Sequence, residues 1–499
     1  MRHRDRLGKD NGSAGAVDIG AGRKGRGKAI GILVAGGWLL LAGCSRKDPV
    51  VAEFGRHRIT LAEFRLAYLN LIKQPNTFDS PKLREEFLDE LIRRRLLAEE
   101  ARRMGLDRDE RLQLRIQAYR AKCLREAHFE AVIRPKVHTD ERTLREAYQY
   151  FREKRRIKHL FAQTKSRADS LYQQLERGVP FDSLARVVFR DTVLARNGGD
   201  LGWVSWDQLD YDMAMTAFRL PLNQYSRPVR SQFGYHIVMV TGYEKAPIVT
   251  EAEYQNSRQK IKYLVEYKIG DKLASEYLDR LMRRKRIQVN PSLLEFVGSK
   301  LAPVVRRPPS ALDELQGRGL EEREISQVEL SLWDARHEVL ATVDGEPMTV
   351  GEFISSLAYV PRDALFRSYK TALDFALRDF AVTQEARRMG LERHPEVKRK
   401  VRLYEEYLLK VAMTRRLVRD VSVGDKEIEE YYESRKADLF RSVPLDSVRA
   451  YIRDRLMDEK RAQLLPQYVA SLTRGMVIRK HPEVIHEYYR SVYRKEESP

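Results

Sequence analysis

Cysteine is all but missing: Cys44 and Cys123 are the only two among 499 residues. A fold stapled by several disulfides is thereby excluded. Glycine forms no phosphate-cradling loop, and cysteine and histidine do not cluster as metal ligands. His481 and His486 lie close together, but no further ligand accompanies them. Long apolar runs are missing too. The stretch Ala29 to Leu41 is too short and too rich in glycine for a good spanning helix. Lys and Arg outnumber Asp and Glu by 92 to 72, yet no RNA- or DNA-binding motif accompanies them, so nucleic acid is not expected as a partner.

What is present begins with charge. Charged residues make up 33% of the chain and aromatics 9%, which suits surface-rich helical domains rather than a membrane-embedded or disordered chain. The length exceeds one core and implies roughly two to four domains. Arg23, Lys24, Arg26 and Lys28 precede the apolar run, which ends in Leu41-Ala42-Gly43-Cys44. That order resembles the signal peptide and lipobox of bacterial lipoproteins. It implies removal of residues 1–43 and lipidation of Cys44. An ordinary signal anchor with an incidental cysteine is the alternative. By the same resemblance, Ser45 points to an extracytoplasmic, lipid-anchored chain, on the periplasmic face of the outer membrane in a Gram-negative host. Cleavage would lower the formal charge from +20 to +15 and leave Cys123 without a disulfide partner. The remaining charge is scattered among acidic residues, as on a solvated surface; anionic lipid head groups and acidic unfolded clients remain open as partners.

The chain contains an internal duplication. Glu100-Ala101-Arg102-Arg103-Met104-Gly105-Leu106 recurs as Glu385-Ala386-Arg387-Arg388-Met389-Gly390-Leu391, an offset of 285. Ile59-Thr60-Leu61-Ala62-Glu63-Phe64 pairs with Met348-Thr349-Val350-Gly351-Glu352-Phe353. Each reads as strand, turn, strand, then a helix capped by Thr60 or Thr349. Amphipathic helices follow, with Leu83, Phe87 and Leu91 on one stripe. Leu112, Ile116, Tyr119 and Cys123 match Val397, Val401, Tyr404 and Leu408, so Cys123 fills a leucine slot and reads as a buried structural residue. The match continues through Tyr148 and Tyr432 at offset 284. It resumes at Leu281, Ile287 and Pro291 against Leu472, Ile478 and Pro482, now at offset 191. The 93-residue difference is an insertion into the first copy alone, at roughly Lys154 to Val249. The expected organisation is 1–43 signal peptide, 50–153 plus 248–298 first helical copy, 154–247 insert, 299–337 linker and 338–490 second copy.

The insert reads as a small α+β domain. Arg156 to Phe161 alternates as a strand, and Ser166 to Arg177 and Phe181 to Val188 are helical. A Gly-Gly turn follows, then a helix carrying Leu209, Met213 and Phe218, and a last strand from Gly234 to Gly242. Three phrases stand in it: His159 on the first strand, Gly198-Gly199-Asp200-Leu201-Gly202-Trp203, and Phe233-Gly234-Tyr235-His236-Ile237. Residues 156–244 resemble the parvulin family of peptidyl-prolyl isomerases, and the helical flanks resemble, more loosely, extracytoplasmic foldases of the SurA and PrsA type. The fold class implied is multidomain, mainly α-helical duplicated chaperone-like modules with one inserted α+β parvulin domain.

The resemblance assigns a site. His159 and His236 match the family's facing histidines, Ser231 its hydroxyl, and Asp191 the loop Cys or Asp; Thr192 is the alternative if the loop differs by one residue. Leu201, Leu209 and Met213 match the lining of the proline pocket. It implies catalysis of Xaa-Pro cis-trans isomerisation without cofactor or metal. The partners implied are unfolded or nascent exported proteins, outer-membrane proteins among them, and a membrane reached through the lipid anchor. Without the resemblance, the strand histidines fit satisfied core residues, Leu209 and Met213 a core stripe, and Asp191 a turn or cap. A chaperone that binds proline-containing segments with little turnover is the competing function.

Overall fold

The computed structural model describes residues 48–74, 76–189, 192–231, 234–245, 250–305, 319–441 and 443–496. Cys44 and Asp191 lie outside the described residues. Ten strands are described: β1 (Val50–Phe54), β2 (His57–Thr60), β3 (Glu153–Ala162), β4 (Asp200–Ser205), β5 (Val229–Ser231), β6 (Gly234–Lys245), β7 (Ile287–Val289), β8 (Val339–Val343), β9 (Glu346–Thr349) and β10 (Ile478–Lys480).

The duplicated start is built as its residues require. Thr60 accepts from the Glu63 N–H and Glu63 accepts from the Thr60 N–H, a reciprocal cap on the helix Leu61–Ile72. Thr349 and Glu352 repeat it on the helix Val350–Ser356.

The two copies exchange strands. β10, from the end of the second copy, pairs antiparallel with β1 of the first, Ala52 opposite Lys480 and Phe54 opposite Ile478. β7, from the end of the first copy, pairs antiparallel with β8 of the second, Ile287 opposite Val343. Each sheet therefore has one hairpin from one copy and one strand from the other, in the orders β10-β1-β2 and β7-β8-β9. The cores follow the exchange. Leu293, Val297 and Leu301 pack with Leu340, Phe353 and Leu373. Ile485 and Tyr489 pack with Val51, Phe64 and Tyr68.

Equivalent helices meet between these sheets. Cys123 and its repeat partner Leu408 belong to one buried cluster with Leu124 and Val401. Burial pushes the Cys123 thiol up to about 11, as for an inert core cysteine. Tyr119 stacks on its own repeat partner Tyr404, centroids 4.1 Å apart, a self-pairing found where a twofold relates two surfaces. Across the same seam the buried Arg95 guanidinium meets Glu406 at 3.0 Å.

The span 299–337, expected to be a linker, is structured in part. The helix Glu322–Leu332 buries Ile325, Val328 and Leu332, one stripe at helical spacing, in the core around β8. Arg115 holds its Glu329 at 2.9 Å. The sparse apolar positions of this span suffice because they share one face.

The insert sits in the turn between the helices Glu141–Phe151 and Glu251–Met282; their counterparts Asp425–Arg435 and Leu445–Leu472 are joined through the short helix Lys436–Phe440. Its sheet has the order β4-β3-β6-β5, all antiparallel. Entry and exit strands pair end to end, Glu153 opposite Lys245 and Ala162 opposite Tyr235, so the chain leaves beside where it entered. Helices Lys165–Glu176 and Phe181–Val188 lie where the sequence predicts them. β4 and β5 are additional: Asp200 to Ser205 alternates between half-buried and exposed positions, but Leu201 and Trp203 take the exposed ones, so no apolar-in pattern marks this edge strand.

Candidate active site

β3 and β6 put the histidines on one face of the sheet. His159 stands opposite Val238 and His236 opposite Phe161, a diagonal pair that brings rings within reach. Their Nδ1 atoms are 3.2 Å apart and the rings are nearly parallel, 15° between planes. His236 Nε2 lies 2.9 Å from Ser231 Oγ, and Ser231, opposite Gly234 on β5, is buried. Two Nδ1 atoms that share one proton need one ring as donor and the other as acceptor, so at least the accepting ring is neutral. Burial lowers both groups from 6.5 to about 4, with His159 contributing at His236, which favours the neutral form of each ring. The outer nitrogen, His159 Nε2, is buried and has no hydrogen-bond partner among the described residues. Phe189 stacks on His159 with centroids 5.0 Å apart, and Phe161 tilts against His236 at 5.2 Å.

The Gly-Gly turn presses on this pair from the backbone side. Gly198 and Gly199 have φ of 72° and 77°. The His159 N–H donates to the Gly199 carbonyl at 2.9 Å. A Cβ on Gly199 would collide with the His159 carbonyl oxygen, and one on Gly198 with the Asp182 carboxylate. The Asn197 amide donates to the Asp200 carbonyl and accepts from the Asp200 N–H, which closes the turn. Asp200 then holds Arg156 at 2.8 Å, fixing β4 against β3.

The apolar side is shared with the helical body. Leu209 and Met213 are 9% and 6% exposed and belong to one cluster with Trp206, Phe218 and, from the helix Glu251–Met282, Ile261 and Val265. Leu201 stands on the edge strand β4 and is 37% exposed. A cavity of about 50 Å³ opens beside Ser231, lined by Asp210, Asp212 and Arg230 of the insert and by Asp271, Lys272 and Ser275 of that helix.

His159, His236 and Ser231 thus form one hydrogen-bonded chain, with Leu209 and Met213 in a second, apolar cluster. Phe161, Phe189, Trp206 and Lys268 also shape the surroundings and were not singled out by the sequence. Phe161 had a signal, standing two residues after His159 on an alternating strand.

Residues 152–244 match the family model described as the PPIC-type PPIASE domain. The "Foldase protein PrsA" of Geobacillus kaustophilus is 26% identical over 162 residues, 32% of this chain and 56% of that protein. The protein of the same name from Caldanaerobacter subterraneus is 27% identical over 288 residues, covering 50% of this chain and 92% of its own length. A solved PpiC-type peptidyl-prolyl cis-trans isomerase domain shares 27% identity, covering 19% of this chain and 96% of its own, with a TM-score of 0.19. The chain therefore carries a PPIC-type domain in its insert, while it spans little more than half the length of the Geobacillus relative.

Proposed function

We propose that this protein is an extracytoplasmic, membrane-anchored foldase that catalyses cis-trans isomerisation of Xaa-Pro bonds in unfolded exported proteins. The carrying observation is the Ser231–His236–His159 chain, with Ser231 and His236 buried and His159 half-buried, in a PPIC-type domain. Rotation about an Xaa-Pro bond crosses a barrier of about 20 kcal/mol and takes tens of seconds or longer unaided. No covalent bond breaks. Twisting removes conjugation, so the carbonyl oxygen loses negative charge and the nitrogen regains its lone pair. Leu201, Leu209 and Met213 would hold the proline ring, and a carboxylate beside the carbonyl would disfavour the planar, negatively polarised oxygen. Two residues after Phe189, whose ring stacks on His159, the chain reaches Asp191. That closeness in sequence supports giving the carboxylate's role to Asp191. The histidine pair and Ser231 would orient that carboxylate through hydrogen bonds. In exchange spectra of an Xaa-Pro peptide, the mature chain should accelerate isomerisation, and Asp191→Ala should lower kcat/KM by about 10²-fold. Wild-type rates equal to the uncatalysed ones would refute the enzyme reading.

One observation favours the second reading, a chaperone that binds proline-containing segments with little turnover: Leu209 and Met213 are only 9% and 6% exposed, which leaves little of the expected pocket lining open to a proline ring. Aggregation of an unfolded client would then be delayed by a chain that shows no peptide turnover. The anchor rests on the order of basic region, apolar run and Leu41-Ala42-Gly43-Cys44. Metabolic labelling with a radioactive fatty acid should mark the wild-type chain and not Cys44→Ser; equal labelling would refute it.

A further inference from the structure

The helix Glu251–Met282 lies beyond residues 152–244, outside the matched domain, yet it reaches the proline-pocket side of the insert. Its contact face is Ile261, Val265, Lys268, Lys272, Ser275 and Asp279, alternating steps of four and three along one helical stripe. The first two are apolar and pack in the cluster with Leu209 and Met213. The stripe then turns polar. Lys272 holds Asp212 at 2.8 Å, and Asp279 is ion-paired with Arg230, the neighbour of Ser231.

Lys268 stands between these parts and is 9% exposed. Its ammonium donates to the carbonyl of Asp207 at 3.1 Å and to that of Leu209. It also lies 5.1 Å from the centroid of the buried Trp206 indole. Three N–H bonds therefore have two carbonyls and one aromatic face as partners. Those carbonyls belong to the short 3-10 turn Trp206–Gln208 and to Leu209 just after it, where a turn's last carbonyls otherwise lack donors. A buried cation persists only where its partners are this complete, and burial here lowers the group from its usual value.

We propose that Lys268, supplied by the helical body, is a positioning residue of the isomerase site: it fixes the turn that presents Leu209, and with it the proline pocket. This rests on the isomerase reading of the insert. The pocket is then complete only in the intact chain, and the body sets how tightly the proline ring is held.

The test uses the full mature chain with Lys268→Met, Lys268→Arg and, as a control on the same helix but off the stripe, Lys262→Met. Xaa-Pro turnover and the ¹³C-methyl signal of Met213, identified by its loss in Met213→Leu, are both read. Lys268→Met should raise the peptide KM roughly tenfold with little change in kcat, because the pocket is displaced while the histidine chain stays. It should also move the Met213 signal. Lys268→Arg should restore both and Lys262→Met should alter neither. If Lys268→Met does not fold, Lys268→Gln, which keeps one donor, must show the same KM rise and signal shift at smaller size. Unchanged KM and Met213 signal in the folded variant would overturn the proposal, as would a fall in kcat alone. If the wild-type chain has no turnover, the isomerase reading fails by itself; Met213 signal changes on adding a proline peptide, weaker in Lys268→Met, then decide the positioning claim.

Discussion

His159 and His236 bind protons less readily in the folded chain than in the unfolded one, their groups falling from 6.5 to about 4. Unfolding therefore takes up protons below the unfolded value, and stability falls as pH falls. The stability is fully present above pH 6.5 and is lost progressively down to about pH 4. Turnover follows the folded-state values alone, so it should stay flat well below pH 6.5 and fall only as pH nears 4, where a further proton on the pair removes the acceptor of the shared Nδ1 hydrogen bond. Thermal melts and rates across that range check this; a rate that rises on acidification would contradict it. These residues were legible because each sits inside a fixed phrase: His159 on an alternating strand, His236 after Phe233-Gly234-Tyr235. Lys268 was not legible. A lysine on a long charged helix looks solvated until packing shows two carbonyls and an indole around it.

Among the elements, the Gly198-Gly199 turn binds β4 to the histidine strand. Gly199→Ala combines an unfavourable φ of 77° with a collision at the His159 carbonyl. It should cost about 1–3 kcal/mol and weaken the site with it. Urea unfolding monitored with turnover measures both; an unchanged midpoint would contradict the geometry. Gly178, also at positive φ but with open space around its Cβ direction, should tolerate alanine better. Capped helix starts at Thr60 and Thr349 were readable, since a cap is local chemistry. β4 was not, because its pairing with β3 is long-range and its apolar Leu201 and Trp203 face outward rather than into a core. The helix Glu322–Leu332 was hidden for a related reason: its short stripe gains meaning only against Phe353 and Leu357.

At the scale of the molecule, the duplication was legible and the exchange of β7 and β10 was not. A repeat fixes which segments are equivalent, but either hairpin can accept either equivalent strand. The partner is settled by the path of the chain, which pairs β7 with the hairpin that follows it and returns β10 to the first. A protease site introduced between 306 and 318 should leave both pieces in one species on gel filtration, because each contributes a strand and a helix to the other's core. Separation without denaturant would contradict the exchange. The function proposed for this folded whole is turnover of Xaa-Pro bonds at the histidine chain. Two-dimensional exchange on an Xaa-Pro peptide with the intact chain and with His236→Ala tests this. The prediction is catalysed exchange by the first and a loss of at least about tenfold in the second; exchange at the uncatalysed rate with both would contradict it.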